Sequence, residues 1–227
     1  MKIVALGDNH NDIEKMLFYV EKLSSINFDF IVYTGDFSDI NTPKGFSQED
    51  IATIIIRELK TLKKPIFAVP GNNDTINIIS ILEKEGIGVH GKGKLFNNIG
   101  IYGFGGAKTP FRTSYEPTDE EIEKGLRNGL KDVKNANMKI QVTHTPPLNT
   151  RLDFLIGGVH VGSAAVRKII EEEKPILAIS GHIHETKGID YIGKTMLINP
   201  GRLSEGYFGY VEIKQDHAEG KILNLIE

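Results

Sequence analysis

Residue types that bind metal ions recur directly after five apolar stretches of this sequence. They comprise two aspartates, one asparagine and four histidines: Asp8, His10, Asp36, Asn72, His144, His182 and His184. Carboxylate, amide and imidazole groups without sulfur suit divalent ions such as Mn²⁺, Fe²⁺, Zn²⁺ or Co²⁺. One tetrahedral zinc ion takes fewer donors, whereas two ions that share a carboxylate would use the whole set. Two ions roughly 3.5 to 4 Å apart suit an in-line displacement at phosphorus.

The apolar stretches that precede these residues predict buried strands. Three of them alternate with helical periodicity, which is typical of a parallel sheet: KIVAL (2–6), FDFIVYTG (28–35) and PIFAVPG (65–71). Two more precede the later histidines: KIQVTH (139–144) and PILAISG (175–181). In open α/β sheets the carboxyl ends of the strands form the ligand crevice. We therefore expect the five segments to deliver their polar side chains to one region.

Helical periodicity and capping residues predict the elements between the strands. The first helix has one apolar stripe: Ile13, Met16, Leu17, Val20 and Leu23. Ser47 and Ser163 are candidate N-caps, and Thr118 with Glu121 has the spacing of a capping box. After Lys187, short apolar runs separated by turns indicate antiparallel strands. The sheet content is therefore mixed, and the lack of a linker predicts one domain over residues 1–227.

The composition is that of an ordinary globular protein. A formal net charge of -3 over 227 residues gives no broad attraction for nucleic acid or an anionic membrane. The absence of cysteine excludes thiolate ligands, cysteine nucleophiles and disulfides, and it fits a reducing compartment. The N-terminus lacks a signal-peptide core, and IATIIIRELK is far shorter than the roughly 20 residues of a membrane span. We expect a cytoplasmic protein without nucleic-acid or membrane partners.

The order and spacing of the polar segments resemble the five-block signature of calcineurin-like metallophosphoesterases. The blocks are DxH from Asp8, GDxxD from Gly35, GN from Gly71, the single His144, and GHxH from Gly181. Each block alone is a weak signal, but the five together, over residues 8 to 184, are specific. The resemblance implies a metal-dependent hydrolase of phosphoric ester bonds. It also implies an α/β fold, a four-layer α/β/β/α sandwich of two mixed sheets.

The same resemblance implies a binuclear metal centre. One metal would be held by Asp8, His10, Asp36 and His184, and the other by Asp36, Asn72, His144 and His182, with Asp36 bridging. In the family, a metal-bridging hydroxide attacks phosphorus in line while the cations neutralise the phosphate oxygens. We expect two manganese ions, ahead of iron, zinc, nickel or cobalt. The expected partner is a small phosphate ester, and Asn72 is also a candidate substrate contact.

Asn73 departs from the family pattern. Many members have a histidine at this position, where it is the proposed general acid or transition-state stabiliser. An amide donates a hydrogen bond to an oxyanion but delivers no proton at neutral pH. We therefore expect phosphodiesters, or substrates with good leaving groups, to be favoured over unactivated monoesters.

The remaining candidate residues have weaker signals. Asp39 is consistent either with orienting a metal ligand or with a simple loop turn. His160 is a candidate substitute proton donor, although a surface histidine is the commoner case. Arg202 and then Arg112 are candidate phosphate contacts, because a guanidinium matches phosphate in a bidentate manner. Surface solvation is the commoner role for either arginine.

Two other functions are consistent with such a sequence. A protein of this fold can act as a non-catalytic scaffold for protein interactions, but all seven ligand positions are present here. A nuclease is the second alternative. The acidic net charge and the lack of a recognisable DNA-binding module favour a small substrate instead.

Overall fold

Five helices and two large β-sheets make up the computed structural model, which describes residues 1–155 and 157–226. The helices are α1 (Ile13–Leu23), α2 (Gln48–Thr61), α3 (Asn77–Lys84), α4 (Asp119–Asp132) and α5 (Ala164–Glu173). The side chains of Ser47, Thr118 and Ser163 accept hydrogen bonds from the first turns of α2, α4 and α5. The predicted N-caps are therefore confirmed. Among the described helices, none has the length and apolar content needed to cross a membrane.

The strands are short, and many of them are fully buried. In chain order they are β1 (Lys2–Leu6), β2 (Phe30–Tyr33), β3 (Ile66–Ala68), β4 (Gly93–Phe96), β5 (Ile99–Phe104), β6 (Met138–Thr143), β7 (Phe154–Leu155), β8 (Val159–His160), β9 (Leu177–Ile179), β10 (Gly188–Ile192), β11 (Thr195–Asn199), β12 (Tyr207–Ile213) and β13 (Ala218–Asn224). Buried strands of this kind need no alternation of polar and apolar residues, which is why the sequence shows continuous apolar runs.

Each large sheet combines parallel and antiparallel pairs. The first has the order β13-β12-β1-β2-β3, with β1, β2 and β3 parallel and β12 antiparallel to both of its neighbours. The second has the order β10-β11-β9-β6-β5-β4, with antiparallel pairs only at its two edges. A separate small hairpin pairs β7 with β8.

Alternating side chains on the strands build three apolar layers. In β1, Val4 and Leu6 pack with α1 and α2, whereas Ile3 and Ala5 face the other sheet. On the far side, α4 and α5 cover Tyr102 and its neighbours in the second sheet. The predicted four-layer α/β/β/α sandwich of two mixed sheets is thus confirmed.

Several elements differ from their prediction. Strand β11 pairs in parallel with β9, so the expectation of antiparallel strands after Lys187 is wrong for this pair. Strand β10 forms the edge of the second sheet, and β11 lies between β10 and β9. Leu17 is 47% exposed because the buried face of α1 centres on Met16, Tyr19 and Val20. Strands β4 and β10 and the β7–β8 hairpin were not predicted, and their residues are mostly half-buried or exposed.

Candidate metal centre

Loops from both sheets meet at one edge of the sandwich. The first sheet contributes four of the predicted ligands, which follow β1, β2 and β3, and the second sheet contributes the other three, which follow β6 and β9. These loops carry Asp8, His10, Asp36, Asn72, His144, His182 and His184. The side chains converge as predicted. The prediction assumed the edge of a single sheet, whereas two sheets contribute the side chains.

The backbone is left-handed at four of these positions. The φ angles are 54° at Asp8, 52° at His10, 51° at Asp36 and 71° at His182. Residues with a Cβ atom adopt this conformation at an energetic cost, and such strain concentrates at functional sites. Neighbouring hydrogen bonds hold the loops in place, including Asp8 N–H to the Gly35 carbonyl at 2.9 Å. The fold therefore maintains an unfavourable backbone where the chemistry-bearing side chains lie.

One group of potential ligands is formed by Asp8, His10 and His184. The His184 Nε2 atom lies 3.3 Å from Asp8 Oδ1, and His10 Nε2 lies 3.9 Å from the same oxygen. The two imidazole Nε2 atoms are 3.0 Å apart. Their donor atoms thus point toward one another and lie close enough together to hold one ion.

A second group is formed around Asp36 and His144. The Asp36 Oδ2 atom is 3.5 Å from His144 Nε2 and 3.7 Å from His10 Nε2, so this carboxylate lies between the two imidazoles. The Asn72 Oδ1 atom is 2.8 Å from His144 Nε2. His182 packs beside this group, with its ring centroid 5.1 Å from that of His144. Asp8 also belongs to this group by distance.

The donor set fits divalent metal ions. Asp8 is fully buried, and within the described residues its Oδ2 atom has no hydrogen-bond partner. A buried carboxylate oxygen without a partner is costly unless a cation compensates it. Two buried carboxylates, an amide oxygen and four imidazoles form a combination that suits borderline divalent ions. The residues present are therefore those that a metal would require.

Surrounding groups fix the orientation of three potential ligands. His10 donates from Nδ1 to Asp39 Oδ1 at 2.6 Å, which leaves Nε2 toward the other ligands. His144 donates from Nδ1 to the Thr34 carbonyl at 2.8 Å, with the same effect. The Asn72 Nδ2 group donates to Thr113 Oγ1 at 3.2 Å, so Oδ1 faces His144. Such partners set ring and amide orientation in metal sites, and the contact of Asp39 favours orientation over a loop turn.

Asn73 is bound to Asp36 rather than projecting freely into the cleft. Its backbone N–H donates to Asp36 Oδ1 at 2.9 Å, and its side-chain Nδ2 donates to Asp36 Oδ2 at 2.7 Å. Both oxygens of the carboxylate are thereby held. The amide supplies hydrogen bonds and has no titratable proton to offer.

Asp74 is a site residue that the sequence reasoning missed. It is fully buried and accepts hydrogen bonds from Gly71 N–H at 2.7 Å, Ser38 N–H at 3.1 Å and Phe37 N–H at 3.3 Å. It therefore ties the loop that carries Asp36 to the loop that carries Asn72. Burial, with the nearby charge of Asp36, raises the pKa of Asp74 to about 6. The sequence feature that could have indicated this role is an acidic residue two positions after the predicted ligand Asn72.

Burial and neighbouring charges act in opposite directions on the pKa values here. Burial would raise the pKa of Asp36, but His144, His10 and the Asn73 N–H outweigh it and hold this pKa below its ordinary value. For a histidine the effect of burial has the opposite sign: burial lowers the pKa of His144, but the charge of Asp36 outweighs it and raises this pKa to about 9. Burial, helped by the charge of His144, lowers the pKa of His182 to about 4. Binding of a metal at His144 Nε2 would displace the proton held there.

A cleft of about 950 Å³ opens over the predicted metal ligands. Among the described residues that line it, His10, Asp36, Asn72, Asn73, His182 and His184 form the floor. One wall comes from the loop of residues 107–118 between β5 and α4, and the other from the β7–β8 hairpin. The cleft is large enough for a small substrate.

The other predicted residues lie outside the described lining of this cleft. His160 donates from Nδ1 to the buried Asp153 carboxylate at 2.7 Å and lines a separate cavity of about 560 Å³. Arg202 is half-buried beside the turn Leu203–Glu205, and Arg112 is exposed. The catalytic and phosphate-binding roles of these three residues therefore stay predictions.

A sequence profile matches most of the chain. The profile of the calcineurin-like phosphoesterase family aligns with residues 1–186, which include every predicted metal ligand. The chain belongs to the calcineurin-like phosphoesterase family. As a member, this phosphoesterase is a metal-dependent hydrolase that acts on phosphoric esters.

Comparison with individual proteins agrees with this assignment. The "Uncharacterized protein MJ1162" of Methanocaldococcus jannaschii is 36% identical over 217 residues, which cover 92% of this phosphoesterase and 91% of that protein. The crystal structure of TT1561 from Thermus thermophilus has a TM-score of 0.73 at 22% identity, covering 99% and 98% of the two chains. A dimetal phosphatase from Danio rerio has a TM-score of 0.67 at 10% identity, covering 100% and 97%. These structures share the fold.

Proposed function

We propose that this chain is a binuclear phosphoesterase that hydrolyses small phosphodiesters in preference to monoesters. The observation that supports it most directly is the position of Asp36. Its Oδ2 atom lies within 4 Å of both His10 Nε2 and His144 Nε2, each of which belongs to a different group of potential ligands. A carboxylate between two such groups is placed to bridge two ions.

Two divalent ions, manganese first, would be held by the residues already described. Asp8, His10, Asp36 and His184 would hold one, and Asp36, Asn72, His144 and His182 the other. When bound, such ions make a water nucleophile available near neutral pH and neutralise the phosphate oxygens during in-line attack. The chain supplies the orientation of the ligands: Asp39 and the Thr34 carbonyl hold the rings of His10 and His144.

The expected preference for phosphodiesters, or for substrates with good leaving groups, over unactivated monoesters follows from Asn73. A monoester with an alkyl leaving group needs a proton at the departing oxygen, and a general acid typically contributes 10²- to 10⁴-fold to such a step. The Asn73 amide carries no transferable proton, and its Nδ2 group is engaged with Asp36 Oδ2. Substrates whose leaving group departs as a stable anion depend less on that proton.

The proposal is tested by metal content and hydrolysis measured on the same preparation. We expect about two Mn²⁺ per chain after loading, and Mn²⁺-dependent hydrolysis of bis(4-nitrophenyl) phosphate that exceeds hydrolysis of glycerol 2-phosphate, a monoester with an alkyl leaving group. A third compound, 4-nitrophenyl phosphate, releases the same nitrophenolate as the diester and separates the effect of the leaving group from that of the second ester. A protein that binds no Mn²⁺ and hydrolyses none of these compounds would contradict the proposal and favour the non-catalytic scaffold.

A further inference from the structure

The cleft over the metal ligands has mostly apolar walls. The loop of residues 107–118 and the start of α4 contribute Pro110, Phe111, Pro117 and Ile122. Strand β7 contributes Leu155, and Val161 follows directly after β8. The predicted metal ligands that line the cleft lie on its floor. The predicted metal ligands would bind the phosphate of a substrate. The apolar walls would therefore contact a different part of the substrate, one without charge.

Phe111 lies on the loop of residues 107–118 and is 83% exposed to solvent. Behind it, the Glu116 carboxylate accepts hydrogen bonds from Thr113 N–H at 2.6 Å, Thr113 Oγ1 at 2.8 Å and Thr109 Oγ1 at 2.5 Å. Thr113 Oγ1 also accepts from Asn72 Nδ2, which joins this loop to a predicted metal ligand. The backbone of the loop that carries Phe111 is therefore tied to the candidate metal centre by hydrogen bonds.

The charges around the walls are mainly negative. Asp119, Glu120 and Glu185 line the cleft, and Lys108 is the one cationic side chain among the described lining residues apart from the histidines. A second phosphate or a carboxylate on the substrate would face these acidic groups without a compensating arginine. This arrangement disfavours polyanionic substrates such as a nucleic acid.

We propose that the cleft between the 107–118 loop and the β7–β8 hairpin binds an uncharged aromatic ester group of a phosphodiester with a single phosphate, and that Phe111 is a specificity-determining residue. The inference rests on the proposed function of the same site. An aromatic ring stacks on Phe111 and is covered on its other side by Leu155 and Val161, so burial of apolar area favours it over a small alkyl group.

Binding of phosphonates to the Mn²⁺-loaded protein tests the proposal without any hydrolysis. We expect isothermal titration calorimetry to give a Kd about tenfold lower for phenylphosphonate than for methylphosphonate, because only the former fills the apolar cleft. We expect 4-phosphonobenzoate to bind at least about fivefold more weakly than phenylphosphonate, because its carboxylate meets the acidic rim. Equal affinity for phenylphosphonate and methylphosphonate would overturn the proposal.

Two substitutions assign the effect to Phe111. In Phe111→Ser the preference for phenyl over methyl should fall to about twofold, whereas Phe111→Tyr should retain it because the ring remains. Leu95→Ser is the matched control, since Leu95 is 60% exposed on β4 and is absent from the described lining of the cleft. A preference that persists unchanged in Phe111→Ser would contradict the role of this residue.

The outcome separates the two proposals. Phosphonate discrimination in a protein that hydrolyses no diester would refute the proposed catalytic function and support the aromatic subsite. Diester hydrolysis without phosphonate discrimination would do the reverse.

Discussion

At the scale of single residues, the Asp36 carboxylate contacts several groups that define the site. Both of its oxygens accept hydrogen bonds from Asn73, and Oδ2 lies between His10 and His144. If it bridges two ions, Asp36→Ala should lose both, and kcat/KM for a diester should fall by more than about 100-fold. Metal analysis after dialysis and initial rates measure this.

The control for Asp36 is a substitution one contact further out. Asp39→Ala removes the partner of His10 Nδ1 but no proposed ligand. It should weaken metal binding by about 10- to 100-fold and leave turnover recoverable at high Mn²⁺. Retention of both ions by Asp36→Ala would refute the bridging role.

Asn73 gives a second prediction at this scale. Asn73→His introduces a group that can carry a proton, so the ratio of turnover of a monoester with an alkyl leaving group to turnover of bis(4-nitrophenyl) phosphate should rise by at least about tenfold. The ratio is the informative quantity, because loss of the contact with Asp36 would lower both rates together. In Asn73→Ala, which adds no proton donor, the ratio should stay unchanged. An equally unchanged ratio in Asn73→His would count against a missing general acid.

At the scale of elements, His90 connects the segment between α3 and β4 with the loop that follows β5. Its Nδ1 atom accepts a hydrogen bond from Gly105 N–H at 3.0 Å, and its Nε2 lies 3.3 Å from the Tyr115 hydroxyl. Burial lowers the pKa of His90 to about 4, from an ordinary value of 6.5, while Glu83 and Lys92 nearby act in opposite directions. The folded protein therefore keeps this ring neutral.

This shift predicts how stability depends on pH. Between pH 6.5 and 4 the unfolded chain binds a proton at His90 that the folded chain does not, so stability is complete above about pH 6.5 and falls as the pH drops. The loss reaches at most about 3 kcal/mol near pH 4. Urea unfolding of His90→Gln should show a shallower decline over this interval than the wild type. His217→Gln, at an exposed position, is the control. The pKa of His217 is raised, so its contribution to stability grows as the pH falls, and its removal should leave the decline of stability with pH unchanged or slightly steeper. Parallel curves for His90→Gln and wild type would contradict the prediction.

At the scale of the whole molecule, the sequence predicted what depends on local pattern. Apolar runs located strands such as β1 and β12, because both are buried within a layered fold. The return of β12 to pair with β1 was not predictable, since it depends on packing between segments about 200 residues apart. Likewise, the spacing of the polar blocks predicted which side chains converge at the candidate site, whereas the place of Phe111 in the lining of the cleft depends on a loop that has no periodicity.

A metal ion at the candidate site would join the two sheets, which gives a prediction for the stability of the whole chain. Asp8 comes from the first sheet and His184 from the second, so an ion bound by both connects them directly. An ion at 100 times its Kd adds about 2.7 kcal/mol to the folded state if the unfolded chain does not bind it. For a chain of this length each kcal/mol raises Tm by about 2–4 °C, so saturating Mn²⁺ should raise Tm by about 5–10 °C, and EDTA should reverse the shift. Differential scanning fluorimetry of wild type and Asp36→Ala provides the comparison, with a shift expected only in the wild type. An equal shift in both would mean that the stabilising ion binds elsewhere.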